Sequence, residues 1–182
     1  MQWTIPGTTL TGERENADRI DGLMQSMFLA GGLTLSQVAS VSGLEPHTIQ
    51  NWVKRRYLSP PVGKRYNMEQ VCRILNINIL KGNMPIEQIV HLMTYLNGQL
   101  DDEGDDLVDD TALYFYFVRL AARARYIGGT KAWDDALAEI TENYQEKAPG
   151  ARDKLILVLK IMLTVWVANI LKSQAEDMIA QL

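Results

Sequence analysis

The stretch from residue 33 to 97 constrains the fold more than any other part of this chain. It reads LTLSQVASVSGLEPHTIQNWVKRRYLSPPVGKRYNMEQV, then CRILNINILKGNMPIEQIVHLMTYLN. Apolar residues recur at helical spacing in short runs, punctuated by glycine and proline. A first helix is expected from Leu35 to Ser42, with Leu35, Val38 and Ala39 on one face. Gly43 ends it where a positive φ is cheap, and Pro46 opens the next helix at a position that needs no backbone donor. That second helix, expected over 46–57, turns Ile49, Trp52 and Val53 inward. Its other face carries His47, Thr48, Gln50, Asn51, Lys54 and Arg55. A short basic hairpin follows, and then helices expected over 68–81 and 84–97. Amides and cations on a short helix that another helix supports suit insertion into a DNA major groove, where Gln and Asn can read adenine through paired hydrogen bonds.

The ordered series L-S-Q-V-A-x-x-S-G-L-x-P-x-T-I-x-x-W, then Y-L-x-P-P and K-R-Y, then M-E-Q-V resembles the MerR-type winged helix–turn–helix. Its wing is most similar to that of a bacterial group of predicted MerR-like regulators, which carry a compact P-P-V/I-x-K-x-Y segment. The resemblance spans about residues 33–97 and implies a winged helix–turn–helix that binds double-stranded DNA. It implies that Thr48 contacts phosphate and that Lys64, Arg65 and Tyr66 form a wing tip on the flanking backbone or minor groove. Gln50 and Asn51 stand where the family usually has Arg and Tyr, and Trp52 takes the place of a core-facing Tyr. Ser36 and Gln37, at the start of the first helix, complete the expected DNA-contacting set. His47 is expected on phosphate.

Charge agrees with this reading. Between Pro46 and Gly82 stand Lys54, Arg55, Arg56, Lys64, Arg65, Arg73 and Lys81 against Glu69 alone, a local balance of +6. The whole chain carries −4, so the remainder carries −10. A basic patch on an acidic protein is local, as a phosphate-tracking surface should be.

The flanks read less sharply. Residues 1–12 look extended and loosely tied, and a helix is expected from Glu13 to Ala30 before Gly31-Gly32. The opening MQWTIPGTTLTGERE has neither a basic leader nor an apolar run, so no signal peptide is read and a cytoplasmic protein is expected. The one cysteine, Cys72, lies among apolar helix residues and reads as a buried structural thiol.

After the basic module comes DDEGDDLVDD, seven acidic side chains in residues 101–110. The spacing lacks the alternating ligands of a calcium loop, so a solvated linker is expected, its last Asp residues favouring a helix start. The expected organisation is therefore an N-terminal extension and helix (1–32), a DNA-binding domain (33–98), an acidic linker (99–110) and a C-terminal helical domain (111–182), all-α apart from the wing hairpin. Three helices are expected beyond the linker, over 107–127, 131–147 and 151–180. Their aromatic residues Tyr114, Tyr116, Tyr126, Trp133 and Trp166 are candidates for an effector pocket, with core packing as the competing use.

In the last helix, Leu155 to Leu171 is apolar nearly all round except along a stripe through Lys160, Thr164 and Ala168. Seventeen residues with an internal lysine sit at the lower limit for spanning a membrane, so burial by neighbours and by a second subunit is the expected use. No sustained heptad is read there. His47 and His91 fall on different helices with no ligand partner at metal spacing, and no phosphate loop, dinucleotide fingerprint or nucleophile elbow occurs. No enzyme activity, cofactor or metal is expected. The resulting expectation is a homodimeric, sequence-specific transcriptional regulator on a palindromic operator, with a small-molecule effector possible in principle. The alternatives are a winged-helix adaptor that binds protein rather than DNA, and a regulator tethered through residues 155–171.

Overall fold

The computed structural model describes residues 2–98, 100, 106–124 and 129–182. Within them the chain is mostly helical, with eight α-helices and two small antiparallel sheets, in agreement with the all-α expectation.

The amino terminus is not the loose extension expected. Strand β1 (Gln2–Thr4) pairs with β2 (Thr11–Glu13), Trp3 lying opposite Gly12. Trp3 and Ile5 are buried. The Thr9 hydroxyl donates to the Ser40 carbonyl at 2.7 Å, and the Tyr114 hydroxyl donates to the Pro6 carbonyl at 3.0 Å. Because Glu13 still belongs to the hairpin, the helix expected over 13–30 starts later and in two pieces. They are a 3₁₀ helix over Arg14–Arg19 and helix α1 (Ile20–Met27).

Helix α2 (Leu35–Ser42) lies where the spacing predicts. Thr34 and Gln37 close a reciprocal capping box at its start, and Gly43 ends it at φ 69°. Helix α3 (Pro46–Lys54) stops three residues short of expectation. Arg56 adopts φ 58°, and the chain folds back so that the Tyr57 N–H reaches the Trp52 carbonyl at 2.9 Å. The hairpin then returns to the strand that precedes α2: β3 (Leu33–Thr34) pairs with β4 (Arg65–Tyr66), Leu33 opposite Tyr66. Val62 and Arg65 exchange backbone hydrogen bonds of 3.1 and 2.9 Å around Gly63 and Lys64, both at positive φ. Positive φ at both central residues is the requirement of the hairpin turn whose twist matches the strands.

Helix α4 (Met68–Leu80), opened by an Asn67–Gln70 capping box, is the central post of the molecule. Every residue from Gln70 to Ile77 is buried. Helix α5 (Ile86–Asn97) flanks it. Helix α6 (Asp110–Arg123), whose first turn is capped by the Asp109 carboxylate on the Ala112 N–H at 2.7 Å, packs along it. Helices α7 (Gly129–Ile140) and α8 (Ala151–Ile179) close the C-terminal side. One continuous apolar cluster runs from Trp3 to Val167. The core is therefore shared across the stretch expected as a linker, of which residues 99 and 101–105 lie outside those described.

Two charged residues hold that junction. Arg73, counted above with the basic surface, is 5% exposed and buried inside. Its Nη1 donates to Asp110 Oδ2 at 2.9 Å, and its Nε donates to the Tyr57 carbonyl at 2.8 Å. An arginine on an apolar helix needs such partners, because an unpaired buried charge is too costly. Asn76 adds an Nδ2 hydrogen bond of 3.0 Å to the Asp110 carbonyl. Cys72 is buried as expected, and burial pushes its thiol up, away from reactivity.

Candidate nucleic-acid interface

Helix α3 turns Ile49 and Trp52 into the core and leaves His47, Gln50, Asn51, Lys54 and Arg55 exposed, with Thr48 half-buried. This partition follows from the i, i+3 spacing of its buried residues on a single-faced helix. The first turn has no side-chain cap on its N–H groups, since Glu45 does not bond back, and Pro46 removes one donor.

The hairpin stands beside α3. A groove of about 470 Å³ runs between them, lined by Gln50 and Lys54 from the helix and by Pro61 and Lys64 from the hairpin, over Leu35 and Val53. A smaller depression of about 260 Å³ on the other flank brings together His47, Thr48, Asn51 and Arg55. The expected polar and basic residues of α3 thus line two adjoining concavities.

Other expected members are placed differently. Tyr66 is 3% exposed and belongs to the core, so it forms part of the floor of that groove rather than the wing tip. Successive strand residues point to opposite faces, and pairing with buried Leu33 sends Tyr66 inward and Arg65 outward. Burial accordingly raises the Tyr66 phenol above its ordinary range. Arg65 is exposed, but its Nη1 donates to the Gly32 carbonyl at 2.8 Å, which fixes the guanidinium beside the strand. Gln37 is exposed while its Oε1 accepts the Thr34 N–H at 2.8 Å, so its amide oxygen serves the capping box. The Ser36 hydroxyl lies 3.1 Å from that of Thr34.

Two residues join the surface that were not in the expected set. Arg56 is exposed directly after α3, and Val62 is 84% exposed beside Lys64 on the hairpin. Arg56 was legible as the third cation of Lys54-Arg55-Arg56. Val62 was hidden, because an apolar residue next to a turn reads as core until the turn geometry is known.

The candidate effector residues are used mainly for packing. Tyr114 is fully buried, ties α6 to the N-terminal loop through Pro6, and has its phenol raised by that burial. Tyr116 packs edge-on against Tyr144 with centroids 6.4 Å apart, and Trp166 packs edge-on against Phe117 at 5.9 Å. Trp133 is half-buried, and its indole N–H has no hydrogen-bond partner among the described residues. Tyr126 lies outside the described residues.

Residues 29–117 match the family model described as a domain of unknown function, DUF1836. The match ends partway along α6, at residue 117, and so takes in the first half of the helix that packs along α4. Over 84 residues the chain is 30% identical to the uncharacterized protein YkrK of Bacillus subtilis (strain 168), covering 44% of this chain and 36% of that protein. The chain therefore spans about a third of the length of that curated relative. No solved structure matches the chain.

Proposed function

We propose that this protein is a sequence-specific, double-stranded-DNA-binding regulator of the winged helix–turn–helix type, resembling MerR proteins in its DNA-binding unit and acting as a homodimer on a palindromic operator. Helix α3 enters the major groove. Gln50 and Asn51 supply amides for base edges, and Thr48, His47, Lys54 and Arg55 supply phosphate contacts. Lys64 at the hairpin turn holds the adjacent backbone, with Arg65 and Arg56 beside it. The observation that carries this reading is the exposed polar face of α3, flanked by a hairpin whose tightest turn carries a lysine. Two copies are needed because one small module buries too little surface for tight specific binding, whereas two read both half-sites.

The test is binding to DNA upstream of its own and neighbouring genes over a salt series. A specific complex should lose affinity with salt at a log–log slope of about −0.9 per phosphate contact. Asn51→Ala should relax discrimination between sequences, and Lys64→Ala should weaken all sequences alike. A folded protein with no DNA affinity at low salt would overturn the reading in favour of an adaptor that docks a protein on this face. The acidic net charge of −4 and the burial of Arg73 favour that second reading.

A further inference from the structure

The two flanks of helix α3 differ in chemistry. The depression that His47, Thr48, Asn51 and Arg55 share offers hydroxyl, amide and cationic groups. The groove of about 470 Å³ on the hairpin side has apolar walls instead. Val53 of the helix and Pro61 of the hairpin line it together with Leu35 of α2, over the buried Tyr66. Leu35, Val53 and Pro61 are each half-buried, so part of their apolar surface is left for whatever enters. The polar lining residues, Gln50 and Lys54 on the helix and Lys64 on the hairpin, are exposed and form the rim. Gln50, Val53 and Lys54 share one side of α3, because residues three and four apart lie on the same helix face.

An apolar wall beside a DNA-reading helix narrows what it can read, because DNA has few apolar features to offer. Phosphates and the hydrogen-bonding edges of the bases gain nothing from Val53 or Pro61. The apolar group that base pairs present in the major groove is the C5-methyl of thymine. Gln50 stands on the same bank, and its amide suits the N6 and N7 edge of adenine. Lys54 and Lys64, one on each bank, match the phosphates of the strand that carries the methyl. An amide for adenine, an apolar wall for a methyl and two cations for the backbone together suit A·T pairs.

We infer that this groove reads thymine: Val53 and Pro61 take up the C5-methyl of a thymine at the pair Gln50 contacts or the pair beside it. The inference rests on the DNA-binding reading and deepens it, by naming a group that the hydrogen-bonding residues of α3 do not recognise. The deoxyribose of the bound strand is the competing occupant, since its carbon face is also apolar. A sugar contact carries no sequence information, so the two occupants separate when the methyl alone is removed.

The test takes the full chain and a random-sequence DNA duplex library, from which bound duplexes are selected. Each thymine of the selected site is then replaced singly by deoxyuridine, which removes the methyl and keeps the sugar and every hydrogen-bonding group. One thymine per half-site should lose about fourfold in affinity, the worth of one buried carbon. Val53→Ala, its folding checked by circular dichroism, should bind the thymine and deoxyuridine duplexes alike. Pro61→Ser, on the hairpin side, should narrow the same difference and carries the test if Val53→Ala does not fold. A folded protein that selects no duplex overturns the DNA-binding reading and this inference with it, and gives the groove to a protein partner. A selected site indifferent to deoxyuridine at every thymine overturns this inference alone and leaves DNA binding standing. If Val53→Ala still weakens that site, the groove belongs to the sugar. A methyl effect that both variants leave unchanged places the thymine outside this groove and also overturns the inference.

Discussion

The Arg73–Asp110 pair offers the most discriminating test of how this fold is held together. Both side chains are about 95% buried, and the pair spans α4 and α6 at 2.9 Å. Asp110→Ala removes the carboxylate and leaves a guanidinium in the core with the Tyr57 carbonyl as its remaining described hydrogen-bond partner. Breaking a buried pair from one side costs about 3–5 kcal/mol. That is a large share of the ~5–15 kcal/mol that stabilises an ordinary protein. For a chain of this size each kcal/mol moves the midpoint by about 2–4 °C, so a fall of roughly 6–20 °C is expected. Arg73→Met should cost a comparable amount, because it strands the Asp110 carboxylate, already held above its ordinary range by burial. The double variant Arg73→Met/Asp110→Ala replaces both charges with apolar groups and should recover most of the loss. Urea and thermal unfolding of the four proteins, read by circular dichroism, give the coupling energy. The reasoning fails if Asp110→Ala costs less than about 1 kcal/mol, or if the double variant is no more stable than the worse single one.

Gly82 abuts α8, and a Cβ there would lie 2.5 Å from the Asn169 Oδ1 whose own amide donates to the Ile79 carbonyl at 2.9 Å. Gly82→Ala and Asn169→Ala should each cost about 1 kcal/mol in urea unfolding, and the double variant less than their sum. Burial raises the phenols of Tyr66 and Tyr114, so the folded chain keeps their protons longer than the unfolded chain. Stability should therefore be full below about pH 10 and fall as pH rises through that value, with Tyr114→Phe and Tyr66→Phe each flattening the decline seen in alkaline urea titrations. Lys64 sits at φ 62° without being glycine. Lys64→Gly should raise thermal stability by up to about 1 kcal/mol while lowering DNA affinity, with the salt slope smaller by about 1.

What was legible in the sequence is local. Gly43 and Pro46 bracket the turn between α2 and α3, and the structure puts both where their backbone preferences demand. Pairings between distant residues were not legible. The inward turn of Tyr66 depends on its pairing with Leu33, thirty-three positions away, and the burial of Arg73 depends on Asp110. Neither partner can be named from spacing along one helix. The N-terminal hairpin was missed for the same reason, because Trp3 alone does not announce Gly12.

Helix α8 shows a different kind of blindness. Leu155, Leu159, Met162 and Leu163 fill the core, while Leu157 and Leu171 on the same helix are exposed. An apolar run with few polar residues to outline a face gives no period by which to tell the buried positions from the exposed ones, so only the packing against α6 and α4 separates them.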